Sequence, residues 1–251
     1  MIDIIMLTIS AKRSVYILDS IFKYNHPFVC VDAVIFSIHT YDEDNYRKLP
    51  IPKLCVALYK RKEVPFKDLW CLPGGFINID ETPEESIKRN VLKKIHILDC
   101  HLEQLYTFSR VNRDPRARVI SISYLGLISE IQSQELDCKW FDIIFEDDNI
   151  KLICDSVTLF QQDLGFDHID IIKYAITRLR AKVTYSDVIF DLLPEKFTLT
   201  QYQNAYEAIT GELQQVANFR RKIIENVIET NEMTTKLGHR PARLFERKTV
   251  K

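Results

Sequence analysis

Gly74-Gly75-Phe76-Ile77-Asn78-Ile79-Asp80-Glu81-Thr82-Pro83-Glu84-Glu85-Ser86-Ile87-Lys88-Arg89-Asn90-Val91-Leu92-Lys93-Lys94-Ile95-His96-Ile97 packs a turn, a helix cap and a one-faced helix into 24 residues. Pro73 and the two glycines bend the chain. Thr82 is placed to cap a helix, Pro83 suits its first position, and Glu85 completes a capping box with Thr82. Ile87, Val91 and Ile95 recur every four residues and give that helix one buried face. Positions 90, 93 and 94 share a further face, and they carry Asn90, Lys93 and Lys94. Glu81, Glu84 and Glu85 cluster near the helix start.

Outward from this stretch, residues 28–38 and 53–59 are rich in β-branched and aromatic side chains and read as strands, with a polar loop at 41–50 between them. Val119-Ile120-Ser121-Ile122-Ser123-Tyr124 alternates apolar and hydroxyl residues, as a half-buried strand does. Residues 167–182 hold a helical period through Ile171, Ile172, Ala175, Ile176 and Leu179. Residues 16–24 suit a short helix, and the rest of 1–26 has no clear pattern. After Tyr185 the character changes. Pro194-Glu195-Lys196-Phe197 opens a small separate unit. Residues 200–210 form a helix with Tyr202, Ala205, Tyr206 and Ile209 inward, stopped by Gly211. Asn218 is expected to cap a second helix with Phe219, Ile223, Val227 and Ile228 on its apolar side, and residues 240–245 to supply a wing. Two short helices and a wing in about 60 residues match a winged helix-turn-helix. The expected division is an N-terminal segment at 1–26, an α+β domain at 27–185 and the small domain at 186–251.

Composition sets outer limits. A 251-residue chain with 46% hydrophobic and 27% charged residues is an ordinary globular protein. Net charge is -1, yet from Asn218 onward nine Lys or Arg face four Glu, which places a basic surface at the C-terminal end. The six cysteines include no CxxC pair and several lie in apolar runs, so they read as reduced core thiols without metal spacing. Neither a secretory leader nor a membrane span is visible, and a cytoplasmic protein with no membrane partner is expected.

Two clusters carry chemistry. In Ser109-Arg110-Val111-Asn112-Arg113-Asp114-Pro115-Arg116-Ala117-Arg118, four arginines in nine residues precede a strand and can pair with phosphates through bidentate forks, with Asp114-Pro115 setting a turn. A solvated surface loop is the equal alternative. Arg220, Arg221 and Lys222 follow Asn218 at once, in the expected first helical turn. The macrodipole disfavours positive charge there by about 0.3–1 kcal/mol per residue, so a purpose such as phosphate or base contact is implied.

The spacing Gly75-(five residues)-Glu81-(seven residues)-Arg89, preceded by Trp70, Leu72, Pro73 and Gly74, resembles the first half of the Nudix signature, G-x5-E-x7-R-E-U-x-E-E-x-G-U. The second half departs: Asn90, Lys93 and Lys94 stand where the family has glutamates. Carboxylates on that face hold Mg²⁺, a hard cation that needs anionic oxygen; a unit positive charge about 4 Å from a dication is instead repelled by roughly 8 kcal/mol at an effective dielectric near 20. The resemblance to Nudix enzymes therefore comes without the catalytic metal ligands, and a non-enzyme with no catalytic residue, no metal and no cofactor is expected. With Arg113-Asp114-Pro115-Arg116, Phe197-Thr198-Leu199-Thr200-Gln201, Phe219-Arg220-Arg221-Lys222 and Gly238-His239-Arg240-Pro241-Ala242-Arg243-Leu244, the chain as a whole resembles the Nudix-related transcriptional regulators of the NrtR family. That resemblance implies a Nudix α/β/α sandwich with a mixed sheet followed by a winged helix-turn-helix, a homodimer on a palindromic double-stranded DNA operator, and a small-molecule effector, often ADP-ribose in NAD metabolism and in other branches a sugar. It makes Gly74, Gly75, Arg113, Arg116 and Arg118 effector candidates, and Asn218, Arg220, Arg221, Lys222, Arg240 and Arg243 DNA candidates. A working pyrophosphohydrolase would instead need Glu81, Glu84 and Glu85 to hold the metal.

Overall fold

Alternation along strand β1 (Phe28–Thr40) sends Val31, Ala33 and Ile35 to one face and Val34 and Phe36 to the other, all fully buried. Strand β2 (Pro52–Lys60) repeats the pattern, with Cys55 and Ala57 on the first face and Leu54, Val56 and Leu58 on the second. Strands buried on both sides must lie inside a layered fold. The computed structural model of the chain describes residues 25–40, 51–131, 137–146, 149–234 and 241–248. The short helix expected at 16–24, the loop at 41–50 and the candidate Arg240 lie outside the described residues.

Around β1 and β2 lie β3 (Trp70–Cys71), β4 (Gly74–Phe76), β5 (His101–Phe108), β6 (Val119–Leu127), β7 (Cys138–Glu146), β8 (Asn149–Cys154) and β9 (Val157–Leu159). The sheet runs β5-β6-β1-β2-β7-β8-β9, with β3 paired to β2 and β4 to β1. β1 and β6 are parallel and the other pairings antiparallel, so the sheet is mixed, as expected. Helix α1 (Pro83–Ile95) covers the first face through Ile87, Val91 and Ile95, and helix α2 (His168–Lys182) the second through Ile169, Ile172 and Ile176. Each such side chain contributes about 1.5–3 kcal/mol by leaving water.

The capping box forms as read. Glu85 N–H donates to Thr82 Oγ1 at 3.2 Å and Thr82 N–H to Glu85 Oε2 at 2.8 Å, and such a cap stabilises by about 1 kcal/mol. His96 ends α1 in the left-handed region, with φ 58°. The two glycines have a packing reason: a Cβ on Gly74 would stand 2.2 Å from the Val31 carbonyl oxygen, and one on Gly75 2.6 Å from Asn90 Oδ1. Only glycine lets β4 lie this close to β1 and α1.

The C-terminal part contains a 3₁₀ turn (Asp187–Leu192), helices α3 (Leu199–Thr210) and α4 (Val216–Ile223), and the hairpin of β10 (Val227–Met233) with β11 (Arg243–Arg247). Phe190, Phe197, Tyr202, Phe219 and Phe245 form its centre. Phe197 and Phe245 exchange N–H···O bonds of 3.0 and 2.8 Å, adding a third edge to the hairpin. Thr198 and Gln201 make a second capping box, and Gly211 stops α3 at φ 76°. This centre is continuous with the second face of the large sheet, because α3 lies against β2.

One local expectation is corrected. Gln215, not Asn218, caps α4: its side-chain oxygen accepts the Asn218 N–H at 2.9 Å. The helix is eight residues long, and Arg220, Arg221 and Lys222 occupy its last turn, where the macrodipole favours them. Val227 and Ile228 belong to β10 rather than to the helix. The cysteines are free and all but Cys100 buried, as expected. No helix among the described residues is long and apolar enough to cross a membrane.

Candidate functional site

Where β4 and the end of α1 meet the loop before β6, a cleft of about 260 Å³ opens. A charged residue in the otherwise apolar β1 starts its floor. Asp32 is buried and would be costly alone. It receives the Ser121 hydroxyl at 2.6 Å and the Arg113 guanidinium at 3.3 Å. Arg113 also forks onto Asp167, with Nε–Oδ2 3.0 Å and Nη2–Oδ1 2.7 Å. The Leu72 N–H donates to His168 Nδ1 at 3.0 Å, which leaves the ring proton on Nε2, facing Asp32 Oδ1 at 3.6 Å. Burial acting alone would raise the Asp32 carboxyl; the facing imidazole, the Arg113 guanidinium and the Ser121 hydroxyl outweigh it and hold Asp32 well below the usual carboxylate range.

Arg113 lines the cleft with Gly74, Gly75 and Arg116. Its side chain is 2% exposed, with Nε and Nη2 on Asp167 and Asp32 and Nη1 3.5 Å from Cys30 Sγ, so it ties β1 to the start of α2 rather than standing as a free fork. Arg116 is held by Asp114 (Nε–Oδ1 3.0 Å, Nη2–Oδ2 2.7 Å) between the rings of Phe76 and Phe166, 5.2 and 5.7 Å away. Arg118 does not belong to the cleft: it is directed to the Arg110 carbonyl, 3.1 Å away.

Asn90, Lys93 and Lys94 form the helix wall of the cleft. Asn90 Nδ2 donates to the Ser86 carbonyl at 2.8 Å. Lys94 Nζ donates to the Gly74 carbonyl and to the Tyr59 hydroxyl (2.9 Å), and lies 4.4 Å from the Tyr59 ring centre. Burial pushes this ammonium down to about 8, against the opposing pull of Asp32. The three glutamates have other partners. Glu81 pairs with Arg89, which holds its carboxyl down to about 2; Glu84 accepts the Tyr124 hydroxyl at 3.0 Å; Glu85 closes the helix cap. None of them lines the cleft. Magnesium wants near-octahedral anionic oxygen, and among the described residues no three His, Cys, Asp or Glu side chains gather to hold a metal. A neutral amide and two ammonium groups do not fit such an ion.

Tyr59, Arg61, Phe76, Phe166 and His168 also line the cleft and were not singled out from the sequence. Asp32 could have been, since a carboxylate inside a buried strand demands a partner.

The second candidate surface lies on the helix-turn-helix. Gln203 and Gln214 fix the turn through Glu207, with Gln203 Nε2–Glu207 Oε1 and Gln214 N–Glu207 Oε1 both 2.8 Å. Phe219 and Ile223 bury one side of α4, while Asn218, Arg220, Arg221 and Lys222 are exposed. Arg220 reaches Thr200 Oγ1 of α3 at 3.2 Å and Arg221 contacts Asn218 at 2.7 Å. Lys222 turns to the flank, lining a groove with Tyr185 and Tyr206. Arg243, in the hairpin, pairs with Glu229 at 3.1 Å.

A helix joins the two regions. His168 at the start of α2 faces the cleft. Near its other end, about 18 Å on at 1.5 Å per residue, Arg180 stacks 4.0 Å over Phe145 and donates to the Ile209 carbonyl of α3 at 2.9 Å.

Residues 189–246 match the NrtR DNA-binding winged helix domain, and residues 44–147 match the NUDIX domain. Over 231 residues the chain is 32% identical to the ADPR responsive transcriptional repressor NtrR of Acinetobacter baylyi, an alignment covering 88% of this chain and 82% of the relative. It is 31% identical to Shewanella oneidensis NrtR in a crystal structure complexed with a 27mer DNA, with TM-score 0.65 and coverage of 88% of this chain and 93% of that one. An ADP-ribose pyrophosphatase of Methanocaldococcus jannaschii is 35% identical over 102 residues, 41% of this chain and 52% of that protein. A Nudix-type sandwich fused through a common core to a winged helix, alike along nearly its whole length to a repressor, places the chain in the NrtR family of transcriptional regulators.

Proposed function

We propose that this chain is a cytoplasmic, dimeric regulator in which residues 27–185 bind a nucleoside diphosphate sugar of the ADP-ribose type without cleaving it, and residues 186–251 hold a palindromic DNA operator. The observation that carries the reading is the helix wall of the cleft. Asn90, Lys93 and Lys94 supply no carboxylate, and Lys94 is anchored on the Gly74 carbonyl. The rings of Phe76 and Phe166 at the mouth suit a planar base, and the positive charge of Arg61 and Arg116 beside them favours an anionic ligand. On the far side, exposed Arg220 and Arg221 supply phosphate or base contacts.

Hydrolysis is the competing reading, suggested by the likeness to a pyrophosphatase over the NUDIX part. Its metal would have to be held by Glu81, Glu84 and Glu85, which are engaged elsewhere. Incubation with ADP-ribose and Mg²⁺ or Mn²⁺ decides between the two. The expected result is a raised melting temperature with ADP-ribose recovered intact; turnover above about 0.1 s⁻¹, already low for an enzyme, overturns the proposal.

A further inference from the structure

Lys94 sits in the cleft in an unusual way. An ammonium on a half-buried side chain is aimed at a backbone carbonyl, Gly74 O, and at the Tyr59 hydroxyl, and no carboxylate forms an ion pair with it among the described residues. Asp32, the anion on the cleft floor, is already engaged by Arg113 and Ser121, and Asp114 by Arg116; Glu63, the third carboxylate lining the cleft, acts on Lys94 only through space. An ammonium has three donors, and the two neutral oxygens take two of them. A positive charge with a donor to spare, held by Gly74 and Tyr59 on a wall lined also by Lys93, is arranged to take an anion rather than closed as a structural pair.

We propose that the Lys94 ammonium takes the place of the divalent ion in this cleft, holding the diphosphate of the effector directly so that recognition needs no metal. This rests on the reading of the cleft as an effector site and extends it to a named residue and ligand group. Gly74 and Tyr59 hold the amine in place before the ligand arrives, so little ordering is required on binding. Burial, which weakens its hold on the proton, also strengthens its attraction for a phosphate, since both follow from the low local dielectric.

The test is calorimetric titration of the full chain with ADP-ribose, once in EDTA and once in Mg²⁺, beside the variants Lys94→Gln and Lys94→Arg, with adenosine as a probe lacking the diphosphate. The expected result is similar affinity of the native chain in both buffers. Lys94→Gln should weaken ADP-ribose about 10- to 100-fold, the fold-change expected of one charge-assisted hydrogen bond. Lys94→Arg should recover part of that loss, and adenosine should bind Lys94→Gln as it binds the native chain. Melting curves identify any variant that fails to fold, and Lys94→Arg then carries the comparison. A Mg²⁺ requirement, unchanged ADP-ribose affinity in Lys94→Gln, or an equal loss of adenosine overturns the proposal for Lys94 while leaving an effector site in place. Failure of the native chain to bind ADP-ribose in either buffer overturns the effector reading as well.

Discussion

Replacing Arg113 by Met removes the guanidinium that ties β1 to the start of α2. Asp32 and Asp167, whose side chains are each 8% exposed, would lose their shared cation. Breaking a buried ion pair by deleting one partner costs about 3–5 kcal/mol, because the remaining charge is left unpaired. At about 2–4 °C per kcal/mol for a chain of this size, melting should fall by roughly 6–20 °C. Scanning calorimetry or urea titration at pH 7.5 reads the effect. A melting change under about 2 °C, accompanied by lost ADP-ribose affinity, would refute the buried tie and restore Arg113 as a ligand-facing fork.

Arg220→Ala with Arg221→Ala should abolish operator binding in a gel shift while leaving the melting temperature unchanged, since both side chains are exposed; binding by the native chain should weaken steeply with salt. Lys94→Met should flatten part of the stability-against-pH curve. The folded Lys94 titrates near 8 and an unfolded lysine near 10.5, so across that window the unfolded chain binds more protons and native stability rises with pH. The difference between native and variant unfolding free energies from urea titration should therefore change by up to about 3 kcal/mol over that range, and a constant difference contradicts the assignment. Arg180→Met should keep both ADP-ribose and operator affinity but reduce the effect of one on the other, because it removes the tie from α2 to the Ile209 carbonyl; unaltered coupling in a fluorescence titration argues against α2 as the link.

The parts of the molecule that local rules govern were legible in advance. Thr82, Pro83 and Glu85 specify the start of α1 within four residues, and the alternation through Val119–Tyr124 specifies β6. The Gly74-Gly75 pair marked the cleft, although the reason for it, close approach of β4 to β1 and α1, lies in contacts between distant segments. The sequence misled where one side chain had two uses. Gln215 and Asn218 both carry a side-chain oxygen that can cap a helix, and the earlier of them does so, which places the three cations in the last turn rather than the first. Arg113 and Arg116 are three residues apart in one loop, yet the first is drawn under the sheet by Asp32 and Asp167 and the second remains at the mouth. Nothing in the local pattern separates them, because Arg116 finds its partner in neighbouring Asp114 whereas the partners of Arg113 come from residues 32 and 167. Phe166 and His168 were unremarkable for the same reason: they become cleft residues only when the start of α2 docks beside Leu72.

The most direct measurement follows a labelled operator by fluorescence anisotropy during titration with ADP-ribose, in EDTA and in Mg²⁺, while chromatography follows the nucleotide. A cleft that recognises through its own ammonium gives the same anisotropy change in both buffers and returns ADP-ribose intact. AMP accumulating with Mg²⁺, or an operator complex indifferent to ADP-ribose, would contradict it.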